Sequence, residues 1–262
     1  MRWGLEMTID EKRIEDLDIY LTRMQRSILD KMFFIDKVFE PFTNILDFGC
    51  ANGELIKAMK HMFPDYRYVG YDISPEMTEA ARKNVPDAFF ADRWEDIDIP
   101  FGDSLINISS TIHEVYSYST DEEIRLFWER VNESGFRYIA IRDMMFSAAQ
   151  DRAADSRQLD AVRRSGSAAL LEDFERVWGR TVSQRQLVHF LLKYKYTQNW
   201  DREVHENYFP ITTEELMARI PDNYRVVYRE CFTLPFTAWQ IRKDLGFELK
   251  DHTHIKLILE AE

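Results

Sequence analysis

Apolar residues follow two alternating patterns over residues 44–146, and these patterns predict strands and helices in turn. Five short, nearly continuous apolar runs predict buried strands: NILDF, YRYVGYDI, AFFADR, SLINISST and FRYIAIRDMMF. Between them, GELIKAMKHM, SPEMTEAARKN and DEEIRLFWERV predict helices, the second capped by Ser74 and the third by Thr120 or Asp121. This alternation predicts an α/β fold, in which a doubly wound, mostly parallel sheet carries helices on both faces.

The segments on either side of this region complete the predicted architecture. Apolar residues spaced three and four apart between positions 10 and 40 predict an N-terminal helix that ends before Pro41. After the fifth strand, residues 148–210 are rich in alanine, arginine, leucine and glutamine, and we interpret them as a helical insert. A helix capped by Thr212 or Thr213 and two closing strands, YRVVYRECFTL and THIKLILEA, then complete a seven-stranded sheet.

Composition limits the kind of protein that this sequence can encode. With 262 residues, 45% of them hydrophobic, the chain can bury one sizeable core, so we expect a single domain over residues 1–262. The formal net charge of -12 opposes non-specific binding to nucleic acid or to an anionic membrane surface. Two distant cysteines, Cys50 and Cys231, and an N-terminal sequence without an apolar signal core suit a reducing compartment. We therefore expect a cytoplasmic protein without a membrane span.

The first predicted strand ends in ILDFGCANGE, which combines an acid with a glycine-rich turn. A strand that enters such a turn and then a helix is typical of ligand sites at the carboxyl ends of open parallel sheets. Glycine permits the tight turn and a close approach of the backbone to a ligand. The spacing Gly49-x-Ala51-x-Gly53 departs from the dinucleotide pattern G-x-G-x-x-G. Asp47 would repel a pyrophosphate, but it suits a ligand that carries a positively charged amino group.

The stretch LDFGCANGE resembles motif I of the class I (Rossmann-like) S-adenosylmethionine-dependent methyltransferases. The resemblance implies S-adenosylmethionine as the cofactor, with Asp47 near its methionine part and Gly49 and Gly53 close to it. Ala51 replaces the family's usual middle glycine and adds only one methyl group. Cys50 is expected to be a small apolar filler rather than a nucleophile.

Two further strand ends extend the resemblance over roughly residues 44 to 145. Asp72 in YVGYDIS can accept hydrogen bonds from both ribose hydroxyls, and Asp92 in FFADRWED matches an acid that binds the adenine amino group. The other residues that we assign to the cofactor site are Ile73 and Met77 beside the adenine, Arg93 or Trp94 over it, and Ser110 after the fourth strand. A strand-end aspartate is also a common turn or cap residue, but three in this order favour the cofactor site.

The stretch SSTIHEVYSYS follows the fourth strand, whose end faces the transferable methyl group in the resembling family. The candidate catalytic residues are His113, Glu114, Tyr116 and Arg142. Histidine titrates near neutral pH, so His113 suits the removal of a proton from the acceptor. The alternatives are a structural cap for His113, a solvated acid for Glu114, and a structural ion pair of Arg142 with Asp143. No metal site is expected.

The sequence also bears on the methyl acceptor. In the resembling family, the nitrogen-directed nucleic-acid enzymes carry an Asn/Asp-Pro-Pro-Tyr or similar motif after the fourth strand. Its absence, with the acidic chain, favours a small or medium metabolite methylated at oxygen or nitrogen. The insert, residues 148–210, is expected to form a lid over the acceptor. Its segment 176–200 holds five basic residues and no acid, with Tyr194 and Trp200 beside the lysines. This segment could bind the acceptor, could dock RNA, or could be an amphipathic helix facing the acidic core. A further alternative is a non-catalytic cofactor-binding subunit.

Overall fold

Seven strands form one sheet in the order β3-β2-β1-β4-β5-β7-β6 in the computed structural model, which describes residues 27–38 and 40–262. The strands are β1 (Asn44–Phe48), β2 (Arg67–Tyr71), β3 (Phe89–Ala91), β4 (Ser104–Ser109), β5 (Tyr138–Met144), β6 (Tyr224–Phe232) and β7 (His254–Ala261). Strands β1 to β5 pair in parallel, and β7 runs antiparallel between β5 and β6. The predicted mostly parallel, doubly wound sheet is thereby confirmed.

Helices cover both faces of this sheet. In the described part of the chain they are α1 (Ile28–Lys31), α2 (Glu54–Met62), α3 (Pro75–Asn84), α4 (Ile112–Tyr118), α5 (Asp121–Ser134), α6 (Ser156–Arg163), α7 (Ala168–Trp178), α8 (Gln184–Lys193), α9 (Trp200–His205), α10 (Thr213–Met217) and α11 (Pro235–Leu245). Apolar residues of α4, α5 and α10 pack on one face, and those of α1, α2 and α3 pack on the other. The strands are buried on both sides, which explains their nearly continuous apolar sequences.

Side-chain caps place several of these helices where the sequence predicts them. The Ser74 hydroxyl accepts a hydrogen bond from the Met77 N–H at 3.3 Å at the start of α3, and Pro75 occupies the first helical position. Thr120, rather than Asp121, caps α5 through a reciprocal capping box with its third helical residue. Thr212 caps α10 in the same way, and Thr213 is the first residue inside the helix.

Two predictions about helices change in the structure. The SSTIHEVYSYS stretch contains α4, a helix that the sequence does not predict, because its β-branched residues and serines are poor helix formers. Burial of Ile112 and Val115 against the sheet compensates for that weak propensity. In the N-terminal segment, α1 ends at Lys31 and a 3₁₀ turn follows over Phe33–Asp36. The remainder of the predicted N-terminal helix, residues 10–26, lies outside the described residues.

The chain order reverses between the neighbouring strands β1 and β4. In open α/β sheets, ligands bind in the crevice beyond the carboxyl ends of the strands at this point. The residues that leave β1, β2, β4 and β5 therefore define where a functional site is to be sought. The segment 148–210 contributes α6 to α9, whose apolar residues pack with one another and with α11.

Candidate cofactor and acceptor site

The glycine-rich turn after β1 adopts a left-handed backbone at three positions. Gly49, Ala51 and Gly53 have φ angles of 77°, 46° and 78°. The N–H groups of Gly49 and Cys50 both donate to the Tyr71 carbonyl, at 2.8 and 3.0 Å, and so fix the turn against β2. The left-handed φ of Ala51 is strained for a residue with a Cβ, which accounts for a preference for glycine there. Burial raises the pKa of the Cys50 thiol well above its usual value, in keeping with a filler rather than a nucleophile.

Replacing Gly49 by alanine is expected to destabilise the protein more than the same change at Gly246. A Cβ added at Gly49 would lie 2.4 Å from Oγ1 and 2.6 Å from Cγ2 of Thr111. Gly246 has a similar φ of 75°, but a Cβ there would meet nothing within 4 Å. The backbone strain is similar at the two positions. We therefore expect Gly49→Ala to lower the free energy of unfolding by about 1–3 kcal/mol more than Gly246→Ala does, which is the usual cost of overpacking. Urea unfolding curves with equal losses for the two variants would contradict this steric role.

Asp72 joins this turn to the start of α3. Its Oδ2 accepts a hydrogen bond from the Ala51 N–H and its Oδ1 accepts one from the Ser74 N–H, both at 2.9 Å. The Asp72 N–H in turn donates to the Ala91 carbonyl at 3.1 Å, at the end of β3. The carboxylate thus sits half-buried where three strand ends meet, and its contact with a ribose stays a prediction.

The residues predicted to surround the adenine fall into two places. Ile73, which is 37% exposed, and Trp94 line one narrow apolar cavity together with Val115 of α4. Trp94 also packs edge-on against Tyr71, with 5.7 Å between ring centroids, so it forms a wall of this cavity. Residues that follow β2 and β3 therefore share one cavity with α4.

The other predicted adenine contacts lie around this cavity rather than in it. Asp92 is half-buried and lines a separate, open depression with Arg82 and Asp96. Met77 is half-buried on α3. Arg93 is exposed and lies 3.9 Å from the carboxylate of Glu95, so Trp94, of the two alternatives, is the residue positioned to cover an adenine.

A buried polar cluster occupies the carboxyl ends of β1 and β4. Asp47 is 3% exposed, and its Oδ1 accepts a hydrogen bond from Asn107 Nδ2 at 2.8 Å. Burial raises the pKa of Asp47 to about 6, although Asn107 and the charge of Lys31 oppose the shift. Lys31 is itself buried, and burial together with the charge of Arg142 lowers its pKa to about 8. A carboxylate and an ammonium group thus share a low-dielectric space beside the glycine turn.

Arg142 connects this cluster to the residues that follow β4. Its Nε donates to Asp30 Oδ2 at 2.8 Å and its Nη1 donates to Ser110 Oγ at 3.1 Å. Ser110 adopts a left-handed φ of 58°, and its N–H donates to the Arg142 carbonyl at 2.8 Å. Arg142 is therefore not a plain ion pair with Asp143, since its partner is Asp30 on α1.

Several buried polar atoms near this cluster have no hydrogen-bond partner within the described residues. They are Arg142 Nη2, Asn107 Oδ1 and Ser109 Oγ. Buried polar groups are normally satisfied, and each exception calls for an explanation such as a bound ligand. A zwitterionic ligand would meet a carboxylate in Asp47, an ammonium group in Lys31 and an unpaired N–H in Arg142, so the residues present fit the methionine part of S-adenosylmethionine.

His113 lies between two carboxylates at the start of α4. Its backbone N–H donates to Asp143 Oδ2 at 3.1 Å, its Nδ1 lies 2.8 Å from Asp143 Oδ1, and its Nε2 lies 3.2 Å from Glu206 Oε1. Burial alone would lower the pKa of His113, but the charges and hydrogen bonds of Asp143 and Glu206 raise it well above its usual value. Both ring nitrogens are engaged, so the imidazole has no lone pair free for the predicted general-base role in this arrangement.

The two other candidates on α4 differ in their surroundings. Glu114 is half-buried, and its Oε1 lies 3.9 Å from Nη2 of Arg202. The Tyr116 hydroxyl accepts a hydrogen bond from Trp128 Nε1 at 2.8 Å, and the ring packs against the core beneath α5. Burial raises the pKa of Tyr116, which further disfavours proton transfer. Tyr116 is thus held against Trp128, and its catalytic role stays a prediction.

The basic and aromatic segment 176–200 does not form an open basic surface. Lys193 is fully buried, and its Nζ donates to the carbonyls of Glu203 and Glu206. Lys195 Nζ forms an ion pair with Asp244 Oδ2 at 2.6 Å on α11. The lysines thus stabilise the insert and its junction with α11, which removes the support for an RNA-docking surface made by them.

The sequence and fold comparisons agree with the geometry of this site. Residues 45–134 match the family model described as a methyltransferase domain. Over 166 residues the chain is 26% identical to an uncharacterised methyltransferase of Oceanobacillus iheyensis, a span of 57% of this chain and 74% of that relative. The glycine turn, the strand-end acids and this match together define a Rossmann-like enzyme that uses a nucleoside cofactor.

Solved structures share the fold at low sequence identity. A methyltransferase dependent on S-adenosylmethionine from Archaeoglobus fulgidus has a TM-score of 0.54 and 13% identity, covering 94% of this chain and all of its own (100%). Another from Mesorhizobium loti has a TM-score of 0.52 and 14% identity, covering 89% of this chain and 97% of its own. With the motif, the match over residues 45–134 identifies a methyltransferase domain. Its glycine turn and Rossmann-like fold resemble those of the class I S-adenosylmethionine-dependent methyltransferases, and the site fits S-adenosylmethionine as the cofactor.

Across residues 27–38 and 40–262, no helix has both the length and the apolar character needed to cross a membrane.

Proposed function

We propose that the protein transfers the methyl group of S-adenosylmethionine to an oxygen or nitrogen atom of a small or medium-sized metabolite. The observation that carries the proposal is the buried polar cluster of His113, Asp143 and Glu206, where the ends of β4 and β5 meet the insert. A site walled on one side by the sheet and on the other by a packed helical segment suits a compact acceptor. The net charge of -12 also disfavours a polyanionic acceptor, and the predicted cytoplasmic location suits a metabolite.

The cofactor's amino acid end is assigned to the cluster beside the glycine turn. Asp47 would bind the amino group, and the positive charges of Lys31 and Arg142 would bind the carboxylate. Lys31 supports this role because its ammonium group is buried without an ion pair within 4 Å among the described residues. A buried cation of this kind is costly unless an anion joins it.

The nucleoside end is assigned to the ends of β2 and β3. Asp72 would accept hydrogen bonds from the ribose, and the cavity walls made by Ile73 and Trp94 would enclose the adenine. The cofactor supplies the electrophilic methyl group, so the protein's main task is to hold the acceptor in line with it. Residues 148–210 provide Glu206 at the acceptor side, which supports a role for this segment as a cover over the acceptor.

Cofactor affinity should fall about tenfold between pH 7 and pH 5. Asp47 has a pKa of about 6 in the cofactor-free protein, and only its ionised form attracts an amino group. Because that pKa is raised above its usual value, ionised Asp47 also destabilises the cofactor-free fold as the pH rises from about 4 through about 6. Calorimetry across this range should give a sloping affinity for the wild type and a weak, nearly flat one for Asp47→Asn. An equal slope in both proteins would remove Asp47 from the amino subsite.

The proposed reaction is tested by supplying radiolabelled S-adenosylmethionine together with fractionated pools of small metabolites. Label should transfer to a low-molecular-weight product, whose mass and fragmentation then identify the methylated oxygen or nitrogen. The Asp72→Ala variant serves as the control that cannot hold the cofactor well. Transfer of label only to RNA or protein fractions would overturn the proposed acceptor class while leaving the enzyme class intact.

A further inference from the structure

Three potential metal ligands converge on the acceptor side of the site. The Nε2 of His113 and one carboxylate oxygen each of Glu114 and Glu206 all lie within 4.8 Å of one another. Two of these residues open α4, and the third follows α9 in the insert. In an octahedral site with ligands about 2.1 Å from the metal, ligand atoms are about 3 to 4 Å apart, so this spacing needs only a small contraction around an ion.

Asp143 orients the histidine in the way that metal sites require. Its Oδ1 accepts from His113 Nδ1 at 2.8 Å and its Oδ2 accepts from the His113 backbone N–H at 3.1 Å, so the ring cannot rotate freely. The carboxylate thereby fixes the proton on Nδ1 and leaves Nε2 facing Glu206 Oε1 at 3.2 Å, where a metal ion would replace the proton on Nε2. Ligating histidines almost always have such a partner on their second nitrogen, and it strengthens them as ligands.

The local charges also favour an additional cation. Asp143, Glu114 and Glu206 carry three negative charges, and the cations close to Glu206 are Arg202 and Lys193, which also lies near Glu203. Arg202 Nη2 lies 3.9 Å from Glu114 Oε1 and 3.6 Å from Glu206 Oε2. A metal ion at His113 would supply the positive charge that the three acids still lack.

We propose that His113, Glu114 and Glu206 bind a divalent transition-metal ion, with Asp143 as the residue that positions the histidine. One imidazole and two carboxylates favour Mn²⁺, Co²⁺ or Zn²⁺ over Mg²⁺ or Ca²⁺, which prefer oxygen ligands alone. Three protein ligands leave coordination positions open for an acceptor oxygen, which the ion would make easier to deprotonate. This role rests on the proposed methyl transfer, and in it the ion takes the place of the proton on His113 Nε2.

The proposal is tested by calorimetric titration of the full-length, cofactor-free protein with MnCl₂ and ZnCl₂. Binding of one ion per chain is expected, weakened at least about tenfold by Glu206→Gln and about 10- to 100-fold by Asp143→Asn. Glu172→Gln is the matched control, because Glu172 is an exposed glutamate of the same insert and should leave binding unchanged. Glu114→Gln, at a half-buried position, provides a second ligand variant if the buried changes impair folding.

A cobalt spectrum gives an independent readout of the proposed metal site. Co²⁺ added to the wild type should produce visible absorption bands that Glu172→Gln retains and Glu206→Gln loses. Absence of saturable binding, or equal binding in the wild type and Glu206→Gln, would overturn the metal site. S-adenosylmethionine affinity and methyl transfer are measured on the same samples, so that the metal site and the proposed methyl transfer are tested separately. If cofactor binding and methyl transfer are retained and no metal binds, only the metal site is rejected.

Discussion

Replacing Lys193 with glutamate is expected to lower the free energy of unfolding by about 3–5 kcal/mol, the cost of leaving a buried charge without its partner. The Lys193 ammonium is buried, donates to two backbone carbonyls, and lies 3.8 Å from the centre of the Tyr208 ring. Burial lowers its pKa to about 8, although the nearby Glu206 and Glu203 favour the charged form. A glutamate there would face two carbonyl oxygens and two acids, with no donor to meet it.

Lys195→Glu is the matched control for this prediction. Lys195 is two residues away and undergoes the same charge reversal, but its side chain is 43% exposed and pairs with Asp244 at the surface. Exposed pairs contribute about 0–1 kcal/mol, so Lys195→Glu should have a small effect. Lys193→Met should fall between the two, because it leaves the carbonyls unsatisfied without adding a charge. Equal unfolding midpoints for Lys193→Glu and Lys195→Glu in urea would show that the buried contacts of Lys193 do not stabilise the insert.

These lysines illustrate what a linear sequence can and cannot predict. The composition of residues 176–200 correctly indicates a basic, aromatic helical segment, but it carries no information about which lysine points inward. Lys193 is buried because α8 packs against the chain around Glu203 and Glu206, a contact between segments separated in sequence. The alternative of an exposed binding surface that uses both lysines is therefore wrong for Lys193.

The fold was predictable because its signals are local. The five apolar runs, the caps at Ser74 and Thr120 and the glycine turn each act within a few residues, and together they determine a parallel sheet. The helix α4 escaped prediction because Ile112 and Val115 favour strands locally, and burial against the sheet overrides that preference.

The candidate site was predictable only where it follows strand ends. Asp47 and Asp72 were found in this way, whereas Lys31 and Glu206 come from helical segments without any motif. Asn107 left one signal in the sequence, since it is the single polar residue in the apolar run LINI at positions 105–108. A polar residue in a strand buried on both faces needs a partner, and Asp47 on the neighbouring strand is that partner.

Replacing Asp72 with alanine is expected to weaken S-adenosylmethionine binding by about 1–3 kcal/mol, or roughly 5- to 150-fold, the range for hydrogen bonds to a charged group. Two effects act in the same direction. The variant would lose the carboxylate assigned to the ribose hydroxyls, and it would free the N–H groups of Ala51 and Ser74 that the carboxylate now holds at 2.9 Å. Ala51 has a left-handed φ of 46°, so the turn depends on this contact to keep a strained conformation.

Calorimetric titration of S-adenosylmethionine into Asp72→Ala and Asp98→Ala tests this prediction. Asp98 is an exposed acid beyond β3, so its replacement removes the same charge without touching the turn. The apolar cavity lined by Ile73 and Trp94 remains in both variants, which should leave Asp72→Ala with measurable residual affinity. Thermal unfolding without cofactor separates the two effects, because a loosened turn lowers the midpoint whereas a lost ribose contact does not. Wild-type affinity in Asp72→Ala would place the ribose elsewhere and reduce Asp72 to a structural cap of the turn.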